Sequence, residues 1–227
     1  MEEAQLAGAL LAERDLAPDA VFTSVLTRSI KTAWLAMEAM KREWVPVRSD
    51  WRLNERHYGA LQGLSKADTA AQYGVAQVQE WRRSFDTRPP AAAAPPRDPR
   101  YVALGVPPAQ LPVCESLKDA SARVGAAWEE LIEPALRAGR RPMVVGHGNV
   151  LRALVMRLDG ISEGAISELN IPTGVPLVYE LEGEGLRPLD SYYLGDADEV
   201  AAASAAVAAQ ARVVERDWGG VSLKSVR

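Results

Sequence analysis

Three groups of residues carry side chains that could do chemistry. The first is Val144-Val-Gly-His-Gly-Asn149. A histidine between two glycines, directly after a short apolar run, sits at the carboxyl end of a predicted strand, where open α/β sheets bind ligands. The glycines let the backbone approach a ligand closely, and the helix expected next offers free N–H groups to an anion. The same pattern also describes a plain strand-to-helix turn whose histidine caps the helix. The second group is Trp51-Arg-Leu-Asn-Glu-Arg-His-Tyr-Gly59. No regular element fits it. Glu55 there could be a general acid or base, or one member of a solvated loop with ordinary ion pairs. The third group is arginine: Arg28 past a predicted strand, and the adjacent Arg82 and Arg83 on a predicted helix. Arginine forks bind phosphate and carboxylate in bidentate fashion. An isolated Arg-Arg pair is also what a solvated helix face looks like, so its meaning turns on whether it meets the histidine turn in space.

Other chemistries find no support in the sequence. Cys114 is the single cysteine and cannot form an internal disulfide, which fits a reducing, cytoplasmic setting. It lacks the basic or helix-start surroundings of an activated thiol. No metal-ligand spacing, Walker loop or dinucleotide fingerprint occurs, so no metal is expected. With 26 basic and 30 acidic groups the net charge is −4, which argues against a nucleic-acid-coating protein. No apolar run approaches a bilayer span, and the acidic start Met1-Glu-Glu lacks the basic region of a signal peptide. At 227 residues and 48% hydrophobic, the chain is long enough for a core of its own and too apolar to be disordered throughout.

These residues need elements to hold them. Periodicity predicts a first helix over 2–14 with Leu6, Leu10 and Leu11 on one face, and no N-cap before it. A buried strand follows at Ala20–Thr23, then a helix over 27–42 using Ile30, Ala33, Trp34, Met37 and Met40. Trp44–Val47 reads as a short edge strand because of Pro46, and 48–64 as an ordered loop. Ser65 and Asp68 mark a helix start, and a further helix covers about 74–86. The Pro- and Ala-rich stretch 87–112 reads as a surface excursion without a regular core element. A long helix over 115–138 is broken near Pro134. Then come the strand at 143–145, the histidine turn, a helix over 150–158, strands near 176–181 and 186–194, and an Ala-rich helix over 198–212. Alternating strands and helices predict one three-layer α/β/α domain with a mainly parallel sheet over residues 1–211, and a C-terminal tail over 212–227 that is disordered or acts as a lid.

Several segments together carry a family resemblance: FTSVLTRSIKTAW (22–34), WRLNERHYGALQG (51–63), QVQEWRRSFD (77–86), CESLKD (114–119), GHGNVLRALV (146–155) and LNIPTGVPLVYEL (169–181). They closely resemble the cofactor-dependent phosphoglycerate mutases of the histidine phosphatase superfamily, over about residues 3–210. ERHYGALQG and LNIPTGVPLVYE are specific to the mutase branch. The resemblance implies interconversion of 3-phosphoglycerate and 2-phosphoglycerate through a phosphohistidine, primed by 2,3-bisphosphoglycerate without a metal. It implies Glu55 as general acid/base and His147 as the second active-site histidine, beside Gly148 and Asn149. Arg28 would grip the phosphoryl group. Arg56, His57 and Tyr58 would lie in the substrate loop, and Lys66, Arg82 and Arg83 would clamp carboxylate and phosphate. Relatives are often dimers or tetramers, so a homo-oligomer is one implied state.

One departure matters. The family's phospho-acceptor histidine lies in an Arg-His-Gly motif after the first strand, and the two histidines here, His57 and His147, are not in that motif. The expectation is a chain that enters partway along the family's first helix, without the central strand, so that two neighbouring strands expose their edges. Without the nucleophile, the chain is expected to have little or no mutase activity. The alternative is a non-catalytic relative that keeps an anion-binding pocket. A phosphatase of the same superfamily is a third reading.

Overall fold

The computed structural model describes residues 2–211, with the backbone alone for Lys66, 210 and 211. The tail 212–227 lies outside the described residues. Helix α1 (Glu2–Glu13) leads to strand β1 (Ala20–Thr23), helix α2 (Thr27–Met40) and strand β2 (Val47–Ser49). Helices α3 (Lys66–Tyr73), α4 (Val75–Arg83) and α5 (Pro99–Ala103) follow. Helix α6 (Leu117–Ala127) runs through a π-turn (Trp128–Ile132) into α7 (Glu133–Arg137). Strand β3 (Pro142–Val145), helix α8 (Gly148–Asp159), strands β4 (Leu177–Glu182) and β5 (Arg187–Tyr193) and helix α9 (Ala197–Ala211) complete the order.

The fold is a three-layer α/β/α arrangement with a mostly parallel sheet. β1 lies at the centre, parallel to β2 on one side and to β3 on the other. All four of its residues are buried, because both faces are covered. Ala20 and Phe22 point to a cluster built with Val124, Ala127, Val150 and Leu154 from α6 and α8. Val21 points the other way, into Ala33, Ala36, Met37 and Met40 of α2. The period of two along the strand thus divides the core into two halves. β4 and β5 form a separate antiparallel hairpin, and Leu181 of β4 packs on the α6/α8 half. Among the described residues, β3 and β4 each have an edge with no strand paired to it.

Several boundaries differ from the sequence expectation for physical reasons. Leu6 is 57% exposed and Trp34 63% exposed, although both were expected to face the core. α1 buries Ala4 and Gly8 instead, because the two helices approach closely at Gly8, where a Cβ would run into the backbone of Ala36. α2 buries Ser29, Ala33, Ala36, Met37 and Met40, a stripe that leaves Trp34 on the outside. The second strand begins at Val47, not Trp44, and the Pro46 carbonyl accepts from the Val21 N–H at 3.0 Å. The stretch expected to lack regular structure contains α5, with the Asp98 side chain capping the Arg100 N–H and Pro99 in the first turn. Near Pro134 the long helix widens instead of breaking. Proline has no N–H for the Glu130 carbonyl, and the Glu133 N–H reaches back to the Trp128 carbonyl.

Glycine to alanine inside a helix ordinarily stabilises by about 0.5–1 kcal/mol. Gly8→Ala is expected to do the reverse and destabilise by about 1–3 kcal/mol. The check is a urea unfolding midpoint that falls at constant slope.

Candidate active site

The carboxyl ends of β1 and β3 lie side by side, with Thr23 opposite Val145. Ser29, in the first turn of α2, ties them together. Its Oγ donates to the Val145 carbonyl at 2.9 Å and contacts Thr23 Oγ1. His147 is held just beyond this junction. Arg28 Nε can only donate, and it lies 3.1 Å from His147 Nδ1. The ring proton is therefore on Nε2, which donates to Ser24 Oγ at 2.8 Å. This is a neutral imidazole with both nitrogens committed. Burial, and then the nearby Arg28 charge, lower its pKa to about 4.

The loop carrying Glu55 has little regular structure beyond two 3₁₀ turns, at Trp51–Leu53 and Gly59–Leu61. A buried ion pair holds it. Arg123 grips Glu115 through Nε at 2.6 Å and Nη2 at 2.8 Å. Arg123 Nη1 also donates to the Arg52 carbonyl at 2.6 Å, and Nη2 to the Glu55 carbonyl at 3.3 Å. Glu115 Oε2 accepts from the His57 N–H at 2.8 Å, while the Glu115 N–H returns to the His57 carbonyl at 2.8 Å. Gly59 closes the loop at φ +61°, with the Pro90 carbonyl against the space a Cβ would fill.

Glu55 Oε1 accepts from Asn149 Nδ2 at 3.0 Å and from the Arg56 N–H at 2.8 Å. Asn149 Nδ2 also donates to the Tyr58 hydroxyl at 3.3 Å. The Tyr58 ring lies under the Arg56 guanidinium at 4.4 Å and near that of Arg82 at 5.6 Å. A cavity of about 260 Å³ opens here, walled by Glu55, Tyr58, Arg82, Arg83, Asn149 and Arg152 among others. The Arg-Arg pair of α4 therefore does meet the residue after the histidine turn. Arg83 donates to the Ser167 carbonyl at 3.1 Å and to Asn170 Oδ1 at 2.9 Å.

The predicted residues do not all converge. Glu55, Tyr58, Arg82, Arg83, Gly148 and Asn149 line the cavity. Arg28 and His147 form a pair next to it. Arg56 is 1% exposed and stacks on Tyr58 outside the lining, donating to the Trp81 carbonyl at 2.8 Å. The His57 ring is tied into its own loop, where Nδ1 accepts from the Gly59 N–H at 3.0 Å, and burial lowers its pKa. The Lys66 side chain lies outside the described part of the structure. Sequence reasoning missed Ser24, Glu115, Arg123, Arg152 and the 169–171 wall. Arg152 had a readable signal, since it follows Asn149 by three residues on the same helix face.

Residues 1–190 match the histidine phosphatase superfamily (branch 1). The chain belongs to this superfamily. Among solved structures it is similar to a mycobacterial glucosyl-3-phosphoglycerate phosphatase complexed with VO3, at 25% identity over 85% of this chain and 81% of that one, with a TM-score of 0.59. An alpha-ribazole phosphatase from Shigella flexneri shares the fold at 20% identity over 86% and 83%, with a TM-score of 0.51. A Bacillus anthracis phosphoglycerate mutase superposes at 20% identity over 70% and 66%, with a TM-score of 0.46. The superfamily works through phosphohistidine chemistry, in keeping with a pocket rich in guanidinium groups beside a histidine. No helix among the described residues is long and apolar enough to cross a membrane.

Two predictions follow from the buried groups. His147 and His57 both have lowered pKa values in the fold, so the unfolded chain binds more protons as pH drops below about 6.5. Stability is expected to be fully present above that pH and to fall between about 6.5 and 4. Denaturant titrations across this range should show the slope, and His147→Asn should flatten most of it. Separately, Arg123→Met strands the Glu115 carboxylate, which is 3% exposed. It is expected to cost about 3–5 kcal/mol of stability, measured by urea unfolding at neutral pH.

Proposed function

We propose that this protein is of the cytoplasmic, 2,3-bisphosphoglycerate-dependent phosphoglycerate mutase type, with a pocket that takes 3-phosphoglycerate and 2-phosphoglycerate but without the phospho-acceptor motif that the mutase reaction uses. The observation that carries this reading is a charge imbalance. Arg52, Arg88, Arg100, Arg123, Arg137, Arg157 and Arg187 each hold a carboxylate. The arginines lining the cavity, Arg82, Arg83 and Arg152, and Arg56 stacked on Tyr58, donate only to neutral oxygens or leave buried N–H groups without a partner. Glu55 is the single acid among the residues lining it. Clustered guanidinium groups with unused donors fit a small polyanion.

The two segments that resemble the mutase branch specifically are also the two that meet at this cavity. One contributes Glu55 and Tyr58, the other Leu169, Asn170 and Ile171. On this reading Arg82, Arg83 and Lys66 hold the ligand's charged ends, and Tyr58 and Asn149 orient it. Arg28, oriented by neutral His147, brings its charge to the phosphoryl group, where charge stabilisation and positioning matter most. Glu55 moves the proton on and off the substrate hydroxyl. The charge of Arg82, Arg83 and Arg152 around the cavity also fits 2,3-bisphosphoglycerate, the priming ligand of the mutases.

His147 has both ring nitrogens engaged, and His57 is tied into its own loop through Nδ1. Neither stands in an Arg-His-Gly sequence. We therefore expect this 227-residue chain to bind phosphoglycerate but to turn it over little or not at all. A phosphatase is the second reading, favoured by the 25% identity to the glucosyl-3-phosphoglycerate phosphatase.

One set of assays decides. The chain is mixed with 3-phosphoglycerate and 2,3-bisphosphoglycerate in excess chelator, with 2-phosphoglycerate and free phosphate both monitored. Calorimetry follows binding in parallel. The expected result is saturable binding, weakened about 10- to 100-fold by Arg82→Ala, and no product of either kind. Formation of 2-phosphoglycerate would show that His57 or His147 accepts the phosphoryl group. Free phosphate alone would favour the phosphatase, and no binding would remove the phosphoglycerate reading.

A further inference from the structure

Arg152 lies on α8, one turn past Asn149, and lines the cavity. It is 7% exposed. Its Nη2 donates to the Ile166 carbonyl, its Nη1 lies 3.5 Å from Asn149 Oδ1, and its Nε has no partner. Among the described residues no carboxylate comes within ion-pair distance of it. Burial, and then the Arg83 and Arg56 charges, lower its pKa to about 10, so at neutral pH it is still a cation.

A buried cation without an anion is costly. One carbonyl at Ile166 does not account for it, since a neutral donor would serve that bond without the desolvation cost. The surroundings sharpen the point. Arg83 reaches the same wall, through the Ser167 carbonyl and Asn170 Oδ1. This end of the cavity therefore concentrates positive charge, and Glu55, the one acid lining it, is bonded to Asn149 and the Arg56 N–H rather than to either arginine.

We propose that Arg152 is a ligand-binding residue of this pocket, whose buried guanidinium pairs with the second charged group of a two-ended anion and selects such ligands over inorganic phosphate. The inference rests on the anion-pocket reading above and deepens it. A ligand whose single charged group pairs with Arg82, beside Tyr58, leaves Arg152 uncompensated. A ligand with charge at both ends neutralises Arg152 and uses its free Nε–H.

The test compares the full chain with Arg152→Met and Arg152→Lys against 3-phosphoglycerate, malonate and inorganic phosphate, by calorimetry at neutral pH. Circular dichroism checks that each variant is folded. Arg152→Met is expected to weaken the two-ended ligands at least tenfold and inorganic phosphate less than twofold, with Arg152→Lys in between. In the wild-type chain labelled with [15N]arginine, the Nε–H signal absent from Arg152→Lys should shift with 3-phosphoglycerate or malonate and stay put with phosphate. That signal decides the matter even if Arg152→Met fails to fold. Equal losses for all three ligands, no loss for any, or an unmoved Nε–H signal would overturn the inference. Binding of malonate but not 3-phosphoglycerate, with the Arg152 effect intact, would overturn the phosphoglycerate reading and leave this inference standing. A chain that binds none of the three overturns both.

Discussion

The segment from Asp50 to Tyr58 holds Glu55 and Tyr58, yet it has no strand ladder to fix it. Its geometry depends on one buried ion pair. The Glu115–Arg123 fork reaches the backbone at residues 52, 55 and 57. Those bonds replace what a sheet would supply, and each satisfies a polar group that would otherwise be buried without a partner. The pair itself sits on a firm base. Glu115 precedes the Ser116 cap of α6, whose side chain and that of Asp119 satisfy each other's N–H groups. Arg123 lies further along the same helix. The loop is thus referenced to α6, and α6 to the sheet through Val124 and Ala127. A chain of short-range constraints carries the register of the core out to a carboxylate.

The cavity has the opposite economy. Where Glu115 and Arg123 cancel each other, the guanidinium groups around Tyr58 repel one another and leave donors unused. Such an arrangement lowers stability in the free protein, and it is tolerable only because the rest of the fold is well paired and well packed. On the proposed reading, the same repulsion is what an anionic ligand would relieve on binding. Asn149 sits at the hinge of the two regimes. It follows the histidine turn, donates to Glu55 and Tyr58, and faces Arg152.

Much of this was legible in the sequence. β1 falls where a run of four apolar or small residues predicts it, because a doubly covered strand must be apolar on both faces. The helix start at Ser65 and the turn at His147 follow from local cap and glycine chemistry. What failed was any reading that needed knowledge of neighbours. Trp34 has helical spacing with core residues and still faces out, because the stripe that α2 buries runs through Ser29, Ala33, Ala36, Met37 and Met40 on the other side of the helix. α5 went unseen because the proline-rich composition around it masked an ordinary Asp-Pro start. At the site, residue types pointed to Glu55, Arg82 and His147. Pairing partners such as Ser24, Glu115 and Arg123 were not readable, since their meaning lies in contacts 8 to 123 residues apart in sequence.

The sheet is in two pieces, with strand edges of β3 and β4 unpaired among the described residues. This has less effect on the site than it would elsewhere in the fold. His147 is placed by the pairing of β1 with β3 and by Ser29 across their ends. Glu55 is placed from α6, and Arg82 and Arg83 from the end of α4. None of these supports passes through the open edges. The proposed anion pocket therefore does not need those edges filled. A phospho-acceptor is a separate demand, because a nucleophile must be held against the phosphoryl group with far tighter tolerance than a guanidinium needs to attract it. On the proposed reading, binding and turnover would draw on different parts of this fold and could be separated.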